Sequence, residues 1–447
     1  MHCKSSGFYE PFIAGLRDRE GEFIHGGCTR AGLLRYAGEI TDAFPGRGGG
    51  KALVCTDRKD IIMAAVISSL SDGPEIIIPH SLSEQAIKEI RELEDCPVIA
   101  GSREECPFCP EAFVPEGGRS PAQLPSFSRG PDEPMLTLFT GGSTGAPKAW
   151  RKTARNLLGE ALYIIQRFGI SQKDLFLSTV PPRHIYGLLF TVLAPFISKA
   201  PIVSETAVFP KEITSAVERY GVTVLVSVPI HYRVLRSADL NKGSLRLAFS
   251  SAGALDKADA DSFYEKTGVA VNEIYGSTET GGIASRRSAL NEMVLTPFDN
   301  LKFRIDEGLL KVKSDFISPD LPKDADGFFT TFDRARPEGG GFVLLGRADD
   351  IIKVAGKRVD LAEIREKIKG LDGVADAKVF SIQSESGRQN EIAAIVVTGL
   401  GEPELRSAIS RVLEPHCVPR HVKTVRRLPS LPTGKIDREY LEKIFLS

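Results

Sequence analysis

The chain has no long apolar run and almost no net charge. Nowhere in its 447 residues is there a stretch close to the ~20 apolar residues that a membrane-spanning helix needs. The N-terminal "MHCKSSGFYEPF" lacks the apolar core of a secretory signal. A balance of 57 basic against 58 acidic residues argues against a general nucleic-acid or anionic-membrane binder, and leaves only a local basic patch open. From these absences we expect a cytoplasmic protein without a membrane span or a nucleic-acid partner.

Cysteine is also scarce, with seven residues scattered along the chain. An odd number in a long chain suits a reducing compartment. Cys106 and Cys109 form a CxxC pair, and Cys96 is a candidate third metal ligand. A zinc site needs a second ligand pair at matching spacing, and none is near in the sequence. We therefore expect loop thiols, with a metal site as the alternative.

The first two thirds of the chain alternate between strand and helix patterns. Apolar strands such as "KALVCT", "EIIIP" and "LTLFT" are separated by amphipathic or apolar helices, which is typical of parallel βα units. Residues 101–134, rich in Pro, Gly and Ser, predict a long surface loop. Further strands are predicted at "LFLSTV", "VTVLVSV" and "LRLAFS", and helices at Ala31–Ala43, Ile61–Leu70, Ala154–Phe168, Leu188–Phe196, Lys211–Tyr220 and Lys257–Thr267.

The remaining third has a different pattern. Residues 293–345 predict short strands with "PEGGG"-type turns, and the last hundred residues predict a helix, two strands and two further helices. The sequence thus predicts an α/β fold: a large N-terminal body of mostly parallel βα units with a short β-rich segment, then a small α+β C-terminal domain. The elements predicted in that domain with bounds are the helix Leu361–Ile368 and strands near Ala377–Ser381 and Ile392–Val397.

A loop rich in glycine and hydroxyl groups lies in "TLFTGGSTGAPKAW", residues 137–150. Its glycines let a ligand approach the backbone closely, and its hydroxyls and lysine can bind negative charge. That is the chemistry of a phosphate cradle, although the two residues between the last Gly and the Lys exclude the common P-loop spacing. An ordinary flexible turn is the alternative. The residues concerned are Thr140, Gly141, Gly142, Ser143, Thr144, Gly145 and Lys148.

Four further motifs follow this loop. They are "NEIYGSTETGG" (272–282), "TTFDR" (330–334), "GRADDIIKVAGKRVDLAEIREKI" (346–368) and "LPTGKIDREYL" (431–441). With the loop, and in this order, they resemble the ANL superfamily of adenylate-forming enzymes: acyl- and aryl-CoA synthetases, peptide-synthetase adenylation domains and luciferases. The resemblance extends over nearly the whole chain and is weakest before residue 130.

The resemblance implies two half-reactions at one site. A carboxylate attacks the α-phosphorus of ATP and releases pyrophosphate, and a thiol then attacks the acyl-adenylate. The loop would hold the β- and γ-phosphates, Thr278 would reach the α-phosphate, and Glu279 would bind Mg²⁺, which prefers oxygen ligands. Asp333 would bind the ribose hydroxyls and Arg347 would lie near ribose and phosphate. The other nucleotide-binding residues implied are Gly253, Ala254, Tyr275, Gly276 and Ser277.

Two positions depart from the family's pattern. Gly141 stands where the family often has serine, which would weaken one phosphate contact without removing the cradle. Phe332 stands where the family usually has glycine, which puts the local turn before Asp333 in question. The departures favour the alternative of an adenylate-binding regulator that has lost its chemistry, whereas the presence of Glu279, Asp333 and Lys435 favours an enzyme.

The C-terminal motifs imply a domain rotation between the half-reactions. The resemblance divides the chain into domains 1–346 and 347–447, with a hinge at Asp349 that absorbs the backbone change. Lys435 would join the α-phosphate to the reacting carboxylate during adenylation. After rotation, Gly356 and Arg358 would come near the channel of the thiol acceptor, either CoA or the phosphopantetheine of a carrier protein.

The acyl pocket is implied by "PPRHIYGLLF", residues 181–190. His184 would lie at its mouth and orient the acid, with a half-buried histidine that caps a loop as the alternative. No acidic side chain stands out to pair with an ammonium group, so we expect an aryl or acyl acid. An amino-acid-adenylating enzyme and a luciferase-like enzyme remain alternatives, because both share the adenylation step. The other pocket residues implied are Tyr186, Val228, Ile230, Ser251 and Ile283.

Overall fold

The computed structural model describes residues 6–45, 50–118, 124–141, 147–288, 293–354, 357–383 and 390–428. By its internal contacts the chain forms two compact units, residues 1–302 with 313–329 and residues 303–312 with 330–447. The domain boundary expected between residues 346 and 347 separates the part of the chain that is predicted to rotate from the part that is not, and it stays a prediction.

The first sheet of the first unit is mostly parallel. Its elements are α1 (Ser6–Arg17), α2 (Arg30–Ala43), β1 (Lys51–Cys55), α3 (Lys59–Leu70), β2 (Glu75–Ile78), α4 (Glu84–Leu93), β3 (Val98–Ala100), β4 (Pro134–Thr140) and β5 (Lys148–Thr153). Among the described residues the strand order is β3-β1-β2-β4-β5, and only the β4–β5 pair is antiparallel. Helix α3 is buried along its whole length, as its run "IIMAAVISSL" predicts for a helix that is apolar on every side.

The second sheet of this unit contains the longer series of βα units. Its elements are α5 (Ala154–Phe168), β6 (Phe176–Ser178), α6 (Ile185–Leu188), α7 (Ala194–Ser198), β7 (Ile202–Thr206), α8 (Pro210–Tyr220), β8 (Val224–Ser227), α9 (Pro229–Leu235), β9 (Leu247–Ser250), α10 (Lys257–Thr267), β10 (Val271–Ser277), β11 (Gly281–Arg287) and β12 (Thr296–Pro297). The described strands lie in the order β12-β11-β10-β9-β8-β6-β7, and the pairs from β7 to β10 are parallel.

Helix α5 begins at a capping box directly after β5. The hydroxyl of Thr153 accepts a hydrogen bond from the backbone N–H of Asn156 (3.2 Å), and the Asn156 side chain accepts one from the N–H of Thr153 (2.9 Å). Gly169, with φ of 59°, ends the helix in the left-handed conformation that glycine adopts without strain. The start of α5 is therefore fixed relative to the strand before it.

The second unit is built from smaller sheets. Its elements are β13 (Lys302–Asp306), β14 (Leu309–Lys313), β15 (Phe329–Glu338), β16 (Gly341–Arg347), β17 (Ile351–Val354), β18 (Lys357–Asp360), α11 (Leu361–Lys369), β19 (Val374–Gln383), β20 (Asn390–Thr398), α12 (Glu402–Val412) and β21 (His421–Val425). Strands β13 to β16 form one sheet, β17 and β18 a hairpin, and β19, β20 and β21 a third sheet. Helices α11 and α12 pack on that third sheet around buried Ile364, Leu405 and Ile409.

The predicted α/β fold is confirmed, with differences in detail. Helices α5 and α10 have the predicted bounds, while the helix predicted at Leu188–Phe196 is split by a π-helical turn, Leu189–Leu193. The sequence patterns missed α1, α4, α9, β3, β5, β7, β11, β17, β18 and β21. Helix α4 buries Ala86, Ile87 and Ile90 at helical spacing and begins at the N-cap residue Ser83, a signal that the sequence carries and the prediction missed. Of the two helices predicted after Val397, α12 is the first, and residues beyond 428 lie outside the described part.

The described parts of the predicted loop, 101–118 and 124–133, contain no regular helix or strand. Cys106 and Cys109 lie in it, yet both are buried in an apolar cluster with Cys55 and Cys96. Within the described residues no set of three His, Cys, Asp or Glu side chains is placed to hold a metal ion. The described helices also include none that is long and apolar enough to cross a bilayer.

His231 gives the folded protein a pH-dependent stability. Its Nδ1 lies 2.6 Å from the hydroxyl of Thr179, which lies 2.8 Å from that of Ser227, and burial lowers the pKa of His231 from 6.5 to about 4. Between these pKa values the unfolded chain binds a proton that the folded protein does not. The free energy of unfolding should therefore fall as the pH falls from 6.5 to 4, by up to ~3 kcal/mol from this group.

His231→Asn, which cannot titrate, should lose less stability than the parent over this pH range. The measurement is urea unfolding at several pH values between 4 and 7, with the exposed His25→Asn as the matched control. A slope for His231→Asn equal to that of the parent would contradict the assignment.

Candidate active site

The predicted site segments of the first unit lie where parallel strands end. Strand β4 ends at Thr140, β8 ends directly before Val228, β9 directly before Ser251, and β10 directly before Thr278. Ser227 is paired with Ser250 and Ser250 with Glu273, so β8 and β9 end side by side, and β10 continues four residues past them to Ser277. In open α/β sheets, ligands bind at the carboxyl ends of the strands, and this edge is therefore the candidate active site.

The loop predicted to bind phosphate is the tip of a β-hairpin. Thr140 in β4 is paired with Lys148 in β5, and the indole N–H of Trp150 donates a hydrogen bond to the Thr140 hydroxyl (2.9 Å). Gly141 and Lys148 are exposed at the base of the tip. The other predicted residues of this loop lie outside the described part: Gly142, Ser143, Thr144 and Gly145.

His80 lies against the start of this loop. A Cβ added to Gly141 would be 3.6 Å from Cδ2 of His80, which is an ordinary van der Waals contact. Burial lowers the pKa of His80 below its usual value of 6.5, so the imidazole is neutral near pH 7. Among the described residues its buried Nδ1 has no hydrogen-bond partner. The serine that is frequent at the position of Gly141 would therefore fit here, and the glycine is not required by space.

The turn between β10 and β11 carries Thr278 and Glu279. It is closed by Ser277 and Thr280, whose hydroxyls lie 3.0 Å apart and each accept a hydrogen bond from the other residue's backbone N–H (3.2 Å). Thr280 is buried, whereas Thr278 and Glu279 are half-buried. The turn therefore uses its own serine and threonine for closure and leaves the threonine and carboxylate predicted to meet phosphate and Mg²⁺ at its tip.

Glycine is required on both sides of this turn. A Cβ on Gly276 would be 2.3 Å from the carbonyl oxygen of Gly281, and Gly281 itself has φ of 67°. Such close approach and positive φ exclude other residues without backbone movement. Gly276, predicted as part of the nucleotide site, is thus explained by the packing of the hairpin. Tyr275, beside it in β10, is half-buried.

The segment after β9 has a strained backbone. Ala252 has φ of 68°, which costs a residue with a Cβ ~1–2 kcal/mol. It is held on one side by the Ser251 hydroxyl, which donates to the carbonyl of Ile274 (2.8 Å), and on the other by the Leu255 N–H, which donates to Glu273 (3.0 Å). The predicted residues Gly253 and Ala254 are exposed between these two anchors.

Some of the residues predicted to line the acyl pocket lie close to one another in the structure. The Tyr186 hydroxyl donates to the carbonyl of Ser227 (3.1 Å), beside buried Val228. A Cβ on Gly253 would come 4.0 Å from Pro229, so the ends of β8 and β9 face each other. His184 is the N-cap residue of α6, and its carbonyl accepts from the N–H of Leu188 (2.7 Å). Ile283 is buried in β11, and Ile230 is half-buried in α9.

In the second unit, Asp333 and Arg347 face each other across the β15–β16 pair. They are register partners, with Oδ1 of Asp333 3.7 Å from Nη1 of Arg347. Phe332 lies in extended strand, and 61% of its surface is exposed. The position where the family usually has glycine therefore requires neither a positive φ nor a small side chain. The two residues predicted near the ribose therefore share one face of a hairpin.

The residues predicted for the domain rotation are described only in part. Asp349 lies in the 3₁₀ turn Ala348–Asp350, and Arg358 is in β18, where its backbone is paired with that of Lys353. Gly356 and Lys435 lie outside the described residues. The roles of these four residues stay predictions.

The sequence patterns missed three buried polar residues next to the Glu279 turn. Lys152 in β5 and Asn156 and Glu160 in α5 are 1%, 6% and 2% exposed. The spacing of Thr153 and Asn156 resembles a capping box and could have identified Asn156 as a buried polar residue at the start of α5. For Lys152 and Glu160 no sequence signal exists, because isolated charged residues in a strand or helix are usually exposed.

Comparison with known proteins agrees with this geometry. The sequence profile described as "AMP-binding enzyme" matches residues 51–306. The chain is 26% identical over 338 residues to the sulfoacetate–CoA ligase of Cupriavidus necator, covering 69% of this chain and 66% of the relative. It is 28% identical over 354 residues to a probable CoA ligase of Humulus lupulus, covering 71% and 64%. The chain thus spans just under two thirds of the length of these relatives.

The fold is that of a solved structure. The crystal structure of ATP-bound MatB from Rhodopseudomonas palustris superposes with a TM-score of 0.82 at 22% identity, covering 97% of this chain and 98% of that one. At this identity the likeness concerns the fold, a large α/β body followed by a small α+β part.

Gly141→Ser should bind Mg·ATP more tightly than the parent. Among the described residues the new Cβ meets only His80, at contact distance, and the hydroxyl can donate one more hydrogen bond to a phosphate. A net gain of ~1 kcal/mol corresponds to a dissociation constant about fivefold lower. Titration calorimetry measures it, with Gly141→Ala as a control that adds the Cβ without the hydroxyl. Equal affinity in the two variants would show that no phosphate contact is gained.

Proposed function

Because this chain belongs to the AMP-binding enzyme family, we propose that it activates a carboxylic acid with ATP and transfers the acyl group to a thiol. The products are pyrophosphate, AMP and a thioester, so the protein is an acid–thiol ligase. The matched family region contains both the 140–148 loop and the turn that carries Thr278 and Glu279.

The observation that carries the proposal is the β10–β11 turn. Its backbone is fixed by Ser277 and Thr280, and its tip presents a hydroxyl and a carboxylate at the carboxyl end of β10, in the same sheet as the ends of β8 and β9. A phosphate ester needs such preorganised groups because charge must be held in place while a group leaves. The loop begun by Thr140 and Gly141 supplies further donors for the terminal phosphates.

In the first half-reaction an oxygen of the substrate carboxylate forms a bond to the α-phosphorus. The bond between the α-phosphorus and the bridging oxygen of pyrophosphate breaks, and pyrophosphate leaves with the electron pair. Thr278 donates a hydrogen bond to the α-phosphate, while Asp333 and Arg347 hold the ribose. His184 orients the carboxylate at the entrance of the acyl pocket.

The donor set at the turn fits a magnesium ion. Glu279 offers a half-exposed carboxylate on a fixed backbone, and Mg²⁺ is usually held by one or two carboxylates together with substrate phosphates. The ion would neutralise phosphate charge that develops as pyrophosphate leaves. Glu279 is the residue of this chain that would hold it.

In the second half-reaction the sulfur of a thiol forms a bond to the acyl carbon. The bond from that carbon to the phosphate oxygen breaks, AMP leaves, and the thiol proton passes to solvent. CoA is supported as the acceptor by the names of the two relatives, with the phosphopantetheine of a carrier protein as the alternative. Gly356 and Arg358 would come near the acceptor channel after rotation about Asp349.

An aryl or acyl acid is the substrate class we favour. Tyr186 and Val228 give the pocket an apolar wall beside Ser227 and Ser251. The nearest carboxylate on these strands, Glu273, is already bonded to Arg286 (2.8 Å) and to the N–H of Leu255. It therefore has no capacity for the ammonium group of an amino acid.

Pyrophosphate exchange across a panel of acids tests the proposal. We expect exchange with benzoate-like or short to medium acyl acids and none with α-amino acids, because none of the pocket residues named above carries a carboxylate and Glu273 is already bonded. An added thiol should then be acylated, which separates a ligase from a luciferase-like oxygenase. Exchange with amino acids alone would overturn the substrate class, and ATP binding without any exchange would favour a regulator.

Lys435→Ala should slow adenylate formation by about two to three orders of magnitude, because it removes a positioned charge worth ~3–4 kcal/mol in the transition state. It should leave thioester formation from synthetic acyl-adenylate largely intact, since Lys435 is proposed to act in one conformation only. Two single-turnover assays, one from acid plus ATP and one from the adenylate plus thiol, make the comparison. Equal slowing of both steps would exclude this role.

A further inference from the structure

Two charged residues, Lys152 and Glu160, are buried beneath the candidate active site. They are 1% and 2% exposed, and neither takes part in the reaction proposed above. Burying a charge is costly unless it is paired and hydrogen-bonded. Both side chains must therefore make interactions that apolar residues at these positions would not make.

Lys152 bonds to the backbone of the metal-binding turn. Its ammonium group donates to the carbonyl of Glu279 (3.3 Å) and to the carbonyl of Phe316 (3.3 Å). The same Glu279 carbonyl accepts the N–H of Ser318 (2.8 Å). Lys152 thus joins the turn to residues 316–318, so the peptide group after the Glu279 side chain is held from two sides.

Residues 315–317 are in turn fixed to the start of α5. The Asn156 side-chain amide donates to the carbonyls of Asp315 (2.6 Å) and Ile317 (3.2 Å). Because the capping box fixes Asn156 relative to β5, the position of the Glu279 carbonyl is set by β5 and α5 together.

Glu160 bonds to the other side of the turn. Its Oε1 accepts the backbone N–H of Gly282 (2.7 Å). A Cβ on Gly281 would be 2.4 Å from Oε2 of Glu160, and one on Gly282 would be 3.0 Å from Oε1. The two glycines that end the motif "STETGG" therefore let the carboxylate reach the backbone.

The two charges stabilise each other without a direct ion pair. Burial lowers the pKa of Lys152, and the negative charges of Glu160 and Glu279 oppose that shift. Burial raises the pKa of Glu160, and the N–H of Gly282 and the charge of Lys152 oppose it. The carboxylate of Glu279 thus lies in the field of Lys152, and the ammonium and the turn are linked by charge as well as by hydrogen bonds.

We propose that Lys152 and Glu160 are positioning residues that hold the 277–282 turn from both sides, so that Thr278 and Glu279 meet the α-phosphate and the magnesium ion of the substrate. This inference rests on the proposed function. Neither residue touches the reacting atoms. Each acts through the backbone of the turn, Lys152 at Glu279 and Glu160 at Gly282.

The test compares Lys152→Met, Glu160→Gln and the double variant with a matched control. Lys152→Met removes both carbonyl bonds, whereas Glu160→Gln keeps an acceptor for the Gly282 N–H and removes only the charge. Lys59→Met is the control, because Lys59 is also 2% exposed and its ammonium group donates to residues 204–206, beginning with the carbonyl of Ser204 (2.6 Å), instead of to the turn.

Three quantities are measured: the melting temperature, the kcat for pyrophosphate exchange, and the affinity for Mn²⁺ in the presence of α,β-methylene ATP. Electron paramagnetic resonance measures the Mn²⁺ affinity. We expect Lys152→Met and Lys59→Met both to lower the melting temperature. Only Lys152→Met should also weaken Mn²⁺ binding and lower kcat, each by ~10–100-fold, as is usual when a partner of a metal ligand is removed.

The double variant separates positioning from stability. It contains no unpaired buried charge, so its melting temperature should recover toward that of the parent. Mn²⁺ affinity should stay low, because the Glu279 carbonyl still lacks its ammonium partner. Should Lys152→Met be insoluble, the double variant carries the comparison with Lys59→Met.

Equal Mn²⁺ affinity in Lys152→Met and Lys59→Met would overturn the proposal. Recovery of Mn²⁺ affinity together with melting temperature in the double variant would also overturn it, because a purely structural role gives that result. If the parent binds Mn²⁺ and the analogue but exchanges pyrophosphate with no acid, the proposed function fails while the binding comparison still tests the positioning role.

Discussion

The backbone of the turn at residues 277–282 is fixed by two buried charged side chains, and much of the first unit is arranged to satisfy that constraint. A hydroxyl and a carboxylate at a turn tip serve phosphate and metal only if the tip cannot move. Gly276 and Gly281 allow the hairpin to close tightly, and Glu160 reaches the N–H of Gly282 across the space that the glycines leave open. Helix α5 and the strand before it hold the turn in position through these contacts.

The alternation of strands and helices was predictable because the spacing of apolar residues along the chain differs between strands and helices. Apolar strands such as "LRLAFS", separated by helices of about eleven residues, specify parallel βα units whatever else the chain does. Strand β3 is three residues long, too short to show such a pattern. Helix α4 does show one, with buried residues at helical spacing after an N-cap serine, and the prediction missed it. The π-helical turn at Leu189–Leu193 was also beyond prediction, since an apolar run has the same composition in either helix.

The residues of the candidate site also differ in whether the sequence could predict them. Residues that would touch ligand, such as Glu279 and Asp333, stand in short motifs whose residue types follow from the chemistry of phosphate, metal and ribose. Lys152 and Glu160 make only tertiary contacts, and their partners are backbone groups 127 and 122 residues away. No local pattern encodes such a contact, because any sequence supplies a carbonyl or an N–H at every position. Three-dimensional packing alone distinguishes these two residues from surface charges.

The two departures from the family pattern bear on whether the chain acts on its ligand or only binds it. Phe332 stands in a regular strand with its ring exposed, and Asp333 still pairs with Arg347, so this exchange leaves the geometry of the hairpin intact. Gly141 removes a hydroxyl but no backbone N–H, and backbone N–H groups carry most of a phosphate cradle. A chain that had lost its chemistry would gain nothing by keeping two buried charges beneath the turn that carries Glu279, because apolar residues of similar volume would cost less. The presence of Lys152 and Glu160 at that cost argues that the orientation of the turn matters to the protein, and therefore for catalysis over simple nucleotide binding.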